Sequence, residues 1–152
     1  MKAKEVRYYL HNLDGLKEDI RNIQESIELY RNMDIEYTIT PILSHLPIHH
    51  ENDSKVERCV IKRVEYIEQL QRDLMYKHII LDAITSVLNY IHTTSTEYTV
   101  IYLRYFDKRK GRSDNSFQYI AQKLNYTKRR IQSIDEKIIS SICKKIDKRV
   151  RL

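Results

Sequence analysis

Val6, Leu13, Ile20 and Ile27 stand seven residues apart, and Tyr9, Leu16, Ile23 and Tyr30 repeat that interval three residues on. Paired rows of this kind fall along one narrow side of an α-helix, so residues 2–31 must offer a seam to another helix. Gly15 lies inside the run and costs about 1 kcal/mol relative to Ala. The repeat keeps its phase across this local weakness.

A second seam begins near Ser54, which with Glu57 has the spacing of a capping box, and runs to about His92. Val60, Ile67, Leu74, Leu81 and Leu88 form one row; Val56, Leu70, Ile84 and Ile91 form the other, interrupted by Arg63 and Lys77. At 1.5 Å per residue such a helix is roughly 55–60 Å long. A narrow stripe on a helix of that length cannot bury itself. It must pack on residues 2–31, on another copy of the chain, or on both, and polar interruptions are a means of fixing register and partner. Between the two helices, residues 32–53 carry Pro41, Pro47 and several β-branched residues, which read as an ordered, partly apolar connector. His45, His49 and His50 cluster there without the further ligand at fixed spacing that a metal site needs.

Composition narrows the functional classes. With 32% charged and 41% hydrophobic residues the chain is neither a disordered tail nor a membrane protein. No apolar run approaches a membrane span and the first residues lack a signal-peptide core, so the expected location is cytoplasmic. Cys59 and Cys143 read as reduced thiols. His78 and Asp82, four apart, have no third partner in sequence and read as an exposed hydrogen-bonded pair. Nucleophile motifs, glycine-rich phosphate loops and paired carboxylates in a recognisable context are missing, so neither an enzyme nor a cofactor is expected.

The charge is lopsided. Residues 104–152 hold fifteen Lys and Arg against five Asp and Glu, a net +10, while residues 1–103 carry a net −4. One basic end on an acidic body suits a polyanion partner for that end. Thr94 and Glu97 suggest a capped start for a short helix, 97–106, apolar nearly all round. After the polar loop 107–115, Asn115 and Gln118 suggest a helix start, and that helix runs through Leu124.

The stretch YIAQKLNYTKRRIQSI, 119–134, then breaks the helical pattern at Asn125, the non-glycine residue best suited to a left-handed helix end. Ala121 lets a second helix approach closely, Thr127 can cap it, and Ile131 and Ile134 can pack back on Ile120 and Leu124. That spacing is a helix-turn-helix whose second helix enters the DNA major groove by its N-terminal residues. On or near its outer face lie Lys128, Arg129, Gln132 and Ser133, with forked groups suited to guanine and adenine edges and cations suited to phosphates. Ile138, Ile142, Ile146 and Val150 prolong the inner stripe, which is expected to dock on the long second helix or on a partner subunit.

The segment 96–139 resembles region 4 of bacterial sigma factors, through Ile101, Leu103, Arg104 and Tyr105, then Ile120, Ala121, Leu124, Thr127, Arg130 and Ile134. With long helices and a Pro-containing connector before it, the chain is similar to the RinA/ArpU-like late transcription activators of Gram-positive phages. The resemblance implies sequence-specific binding to double-stranded DNA upstream of phage late genes and stimulation of host RNA polymerase. It puts Thr127, Lys128, Arg129, Arg130, Gln132 and Ser133 forward as DNA contacts. Asn125 departs from the Gly common at such turns, the 107–115 loop is longer than a compact region 4 needs, and no aromatic promoter-melting segment is present.

The expected architecture is therefore all-α: a long antiparallel or coiled-coil hairpin with its connector in residues 1–92, then a helix-turn-helix domain in 93–152, in a homo-oligomer without membrane contact. Two other functions fit the same outline. One is a small terminase-type protein that marks phage DNA for packaging; the other is a coiled-coil adaptor or structural protein whose basic end is incidental.

Overall fold

The computed structural model describes residues 1–33, 51–107 and 116–150, with 51–56 as helical backbone alone. The described residues are all-helical: α1 (Ala3–His11), α2 (Leu13–Asn32), α3 (Glu51–Tyr90), α4 (Thr96–Ile101), a π-helical turn (Tyr102–Phe106), α5 (Phe117–Leu124) and α6 (Lys128–Val150). Among them no helix is long and apolar enough to cross a membrane. The connector's prolines and histidines, and most of the 107–115 loop, lie outside the described residues.

The heptad rows of residues 2–31 are inner faces throughout: Val6, Leu16, Ile20 and Ile27 are buried, and Tyr9, Leu13, Ile23 and Tyr30 are half-buried. The helix is nevertheless not continuous. It breaks at Asn12, whose backbone (φ −122°, ψ 44°) leaves the helical region. A Cβ at Gly15 would collide with the Asn12 side-chain amide, so the glycine leaves room for that side chain to fold over the first turn of α2. The interruption thus begins three residues before the glycine.

Two other helix starts differ from expectation. α3 begins at Glu51, which places Ser54 inside the helix rather than at its cap, and it ends at Tyr90, two residues early. α4 is capped by Ser95, not Thr94: the Ser95 hydroxyl accepts the Tyr98 N–H at 3.1 Å. Either hydroxyl has the chemistry of a cap, and local spacing alone does not separate them.

By contact density the chain forms two compact units, Met1–Lys17 with His78–Leu152, and Glu18–Lys77. The boundary expected between 92 and 93 falls inside the first unit. Within Glu18–Lys77, Lys77 donates to Asp19 at 2.7 Å, Arg63 donates to the Arg31 carbonyl at 3.1 Å, and Tyr30 meets Tyr66 edge-on at 4.9 Å. Early residues of one helix meet late residues of the other, so α2 and α3 run antiparallel here. The two polar interruptions of the α3 row are the side chains that reach across.

In the other unit α6 packs on α1, α4 and α5. Ile131, Ile138, Ile139, Ile142 and Ile146 are buried along its inner side, whereas Val150, expected to extend the stripe, is 54% exposed. α6 meets α1 and α4 as well as α5, and α3 also borders it: Val87 lines a cleft with Ile138, Lys145 donates to Ser86, and Arg149 donates to Asp82 at 3.2 Å. Asp82 is therefore engaged by Arg149 rather than forming the expected pair with His78.

Candidate nucleic-acid interface

The turn between α5 and α6 is built from local signals. Ser116 caps α5, its hydroxyl accepting the Tyr119 N–H at 3.2 Å, so the start falls one residue after the expected Asn115. Asn125 closes α5 in the left-handed region, φ 54° and ψ 41°, the one positive φ outside glycine among the described residues. The Asn125 N–H donates to the Gln122 carbonyl at 3.4 Å and the Tyr126 N–H to the Ala121 carbonyl at 3.0 Å, the bonding pattern of a Schellman motif. Thr127 then caps α6: its hydroxyl accepts the Arg130 N–H at 3.3 Å, and its carbonyl accepts the Ile131 N–H at 3.2 Å.

What holds the two helices together is a small apolar core. Val100, Leu103, Ile120, Ala121 and Ile131 are buried, and Phe117, Tyr119, Leu124, Tyr126 and Ile134 pack around them. Ile131 and Ile134 meet Ile120 and Leu124 in this cluster, as their spacing predicts. Ala121 is 3% exposed, and a larger side chain there would push the helices apart.

Six candidate residues occupy the capped end of α6. Thr127, Lys128, Arg129, Arg130 and Ser133 are exposed and Gln132 is half-buried. Arg129 and Ser133, one turn apart, share the outward face, and Glu136 and Ser140 follow on the same line. Beyond Ser133 the face is mixed, with Glu136 on this line and the exposed Lys137, one turn after Ser133, beside it. Thr127, Arg129, Arg130 and Ser133 line one open depression together with Glu97, Ile134 and Lys137. Lys128 and Gln132 lie outside it, on the other flank.

Four contributors are not apparent from the pattern of α6. The Arg130 guanidinium sits over the Tyr126 ring, 4.5 Å from its centroid. Arg104 lies over Phe117 at 4.2 Å, and Lys123 is 5.9 Å from the Tyr119 centroid. Lys137 pairs with Glu97 at 3.7 Å, which sets a carboxylate at the edge of the depression. The Tyr126–Arg130 and Tyr119–Lys123 pairs carry a signal in sequence, since each is spaced i, i+4 on or beside a helix. Nothing local links Arg104 to Phe117 or Lys137 to Glu97.

The same surface carries Lys128, Arg129 and Arg130 with Glu97 as the acid that lines the depression beside them, and the first N–H groups of α6 point out of its end. Both features favour an anion there. Among the described residues no group of three or more His, Cys, Asp or Glu is placed to hold a metal ion. Cys59 and Cys143 are free and half-buried, and burial pushes the Cys143 thiol up, away from the reactive thiolate.

No family model, curated protein or solved structure matches this chain.

Proposed function

We propose that the chain binds double-stranded DNA sequence-specifically, as a transcriptional activator of phage late genes acting with host RNA polymerase. α5, its turn and α6 serve as a helix-turn-helix, in which α6 enters the major groove by its first two turns while α5 crosses the backbone. The observation that carries the reading is the left-handed Asn125 joined to a Thr127-capped helix, with Arg129 and Ser133 outward. Arg129 is suited to a guanine edge and Gln132 to an adenine edge; Thr127, Lys128 and Arg130 are suited to phosphates, and Ser133 to either. The resemblance of residues 96–139 to sigma region 4 supports the polymerase-linked role.

The antiparallel α2–α3 pair is the oligomerising part in this reading. Val60, Ile67, Leu70 and Leu74 on α3 are only half-buried, and Ile61, Val64 and Met75 are exposed at 48%, 49% and 66%. A second copy covering this surface would present two reading helices and raise the affinity of one small reader by linkage.

Sequencing the genomic fragments that the full chain retains at physiological salt tests the proposal. Fragments clustered upstream of a transcribed operon are the expected result. A cluster at a packaging site would replace the activator by a terminase-type role, and no enrichment would leave the α2–α3 pair as the working part of an adaptor.

A further inference from the structure

Asp135 is the one polar residue with no exposure among the described residues, and it belongs to α6, two positions after Ser133. Its carboxylate is held from two directions. Arg7 of α1 donates from Nη2 at 3.0 Å and Nε at 3.3 Å, and Tyr105 of the π-helical turn donates its hydroxyl at 2.7 Å. We infer that Arg7 is a positioning residue for the DNA-reading face: through Asp135 it fixes the rotation of α6 about its own axis, which makes α1 a working part of the reader. The inference rests on the DNA-binding role proposed above.

The physical case is one of direction. Ile131, Ile138 and Ile142 drive α6 against its neighbours, but apolar contact is non-directional and tolerates slippage. A carboxylate gripped by a two-nitrogen fork on one element and a hydroxyl on another tolerates much less. A rotation of about 20° moves a side-chain tip on a helix of 5–6 Å radius by about 2 Å. A shift of that size breaks a bidentate contact between Arg129 and a base, while a phosphate contact from a flexible Lys survives it. The π turn belongs to the same arrangement: the Asp107 N–H reaches the Tyr102 carbonyl at 2.8 Å, and Tyr105 within that widened turn points inward.

The test uses the full chain and compares its affinity for a preferred fragment with that for unrelated DNA, alongside thermal unfolding. In the triple variant Arg7→Met, Tyr105→Phe, Asp135→Leu, apolar groups replace the buried polar set, a change that commonly preserves stability. The expected result is a folded protein whose preference falls tenfold or more, with affinity for unrelated DNA and its salt dependence unchanged. Arg7→Lys keeps the charge without the fork and is expected to lose part of the preference; it decides the matter if the triple variant fails to fold. A preference equal to that of the unsubstituted chain in whichever variant decides overturns this inference alone. So does an equal loss in Val87→Ala, which loosens the same unit without touching Asp135. An unsubstituted chain with no sequence preference at all overturns the DNA-reading proposal, and this inference with it.

Discussion

Arg130 rests its guanidinium on the ring of Tyr126, four residues back across the turn, with 4.5 Å between them. The ring lies against the α5–α6 core, so a cation that is otherwise exposed is held in one direction before any ligand arrives. Tyr126→Leu keeps an apolar side chain and removes the π face. The expected loss is about 0.5–1 kcal/mol of stability. If Arg130 meets a phosphate as proposed, DNA affinity is expected to fall by a similar factor on every sequence. Chemical denaturation and titration of two unrelated fragments check both parts.

Asn125 gives the turn a prediction of its own. At φ 54° a β-branched residue is strained, so Asn125→Val is expected to cost about 1–2 kcal/mol. Asn125→Gly, which meets no penalty at positive φ, is expected to stay within about 0.5 kcal/mol of the original. Equal urea midpoints for the two variants would show that the turn does not need a left-handed residue.

The reading face is tested by contrast. Arg129→Ala is expected to cost about 1–3 kcal/mol at one base position and to relax the preference there. Lys148 is exposed near the far end of α6, and Lys148→Ala is expected at most to weaken binding uniformly, lowering the salt slope by no more than about 1. Titrations of a set of single-base variants of the preferred fragment separate these outcomes. An unchanged preference after Arg129→Ala would relocate the reading face.

Tyr105 makes stability depend on alkaline pH. Burial first, then the hydrogen bond and charge of Asp135, push its phenol well above the ordinary value of 10.0. The folded chain thus keeps a proton that the unfolded chain gives up. The associated stability is complete below about pH 10 and declines as pH rises beyond it, by at most about 1.4 kcal/mol per pH unit. Tyr105→Phe is expected to remove that slope, and to lower stability at pH 7 by about 1.5–3 kcal/mol through the lost bond to a charged acceptor. Urea midpoints at pH 7, 9 and 11 for both proteins measure the two effects together.

Much of the α5–α6 turn could be read directly, because its determinants are neighbours in the chain. Asn125, Thr127, Ala121 and the isoleucines at 131 and 134 each do what their side-chain chemistry favours within a few residues. The seam of α2 was legible for the same reason, and so were Arg63 and Lys77, which interrupt a row of α3 and then reach the opposite helix. The α3 rows themselves were read less well: Ile84 is buried, but Ile80, Ala83 and Val87, which belong to neither row, are buried beside it, while Val60, Ile67, Leu74, Leu81 and Leu88 are only half-buried. Helix ends were less legible. Thr94 and Ser95 offer nearly equal caps, and Ser54 carries a cap signature inside a helix that starts earlier. The break at Asn12 depends on how its amide folds over Gly15, which no periodicity encodes. Least visible was the burial of Asp135. An acid on a charged helix looks like any other until its partner, 128 residues away, comes to lie beside it.

If α6 reads DNA as proposed, the span from Arg129 to Ser133 limits how much a single copy could know. From Arg129 to Ser133 is about 6 Å along the helix axis, the rise of about two base-pair steps. Glu136 then stands on the same line and sets a carboxylate among the cations that continue along α6. Two or three base pairs carry about 4–6 bits, whereas one address among about a million competing sites takes about 20. In the proposed role, one copy of α6 would be a reader with a vocabulary of a few dozen words. A unique instruction would then have to be spelled by several copies at a set spacing, and if α2 and α3 hold copies together as proposed, their number would set the length of the message that can be read.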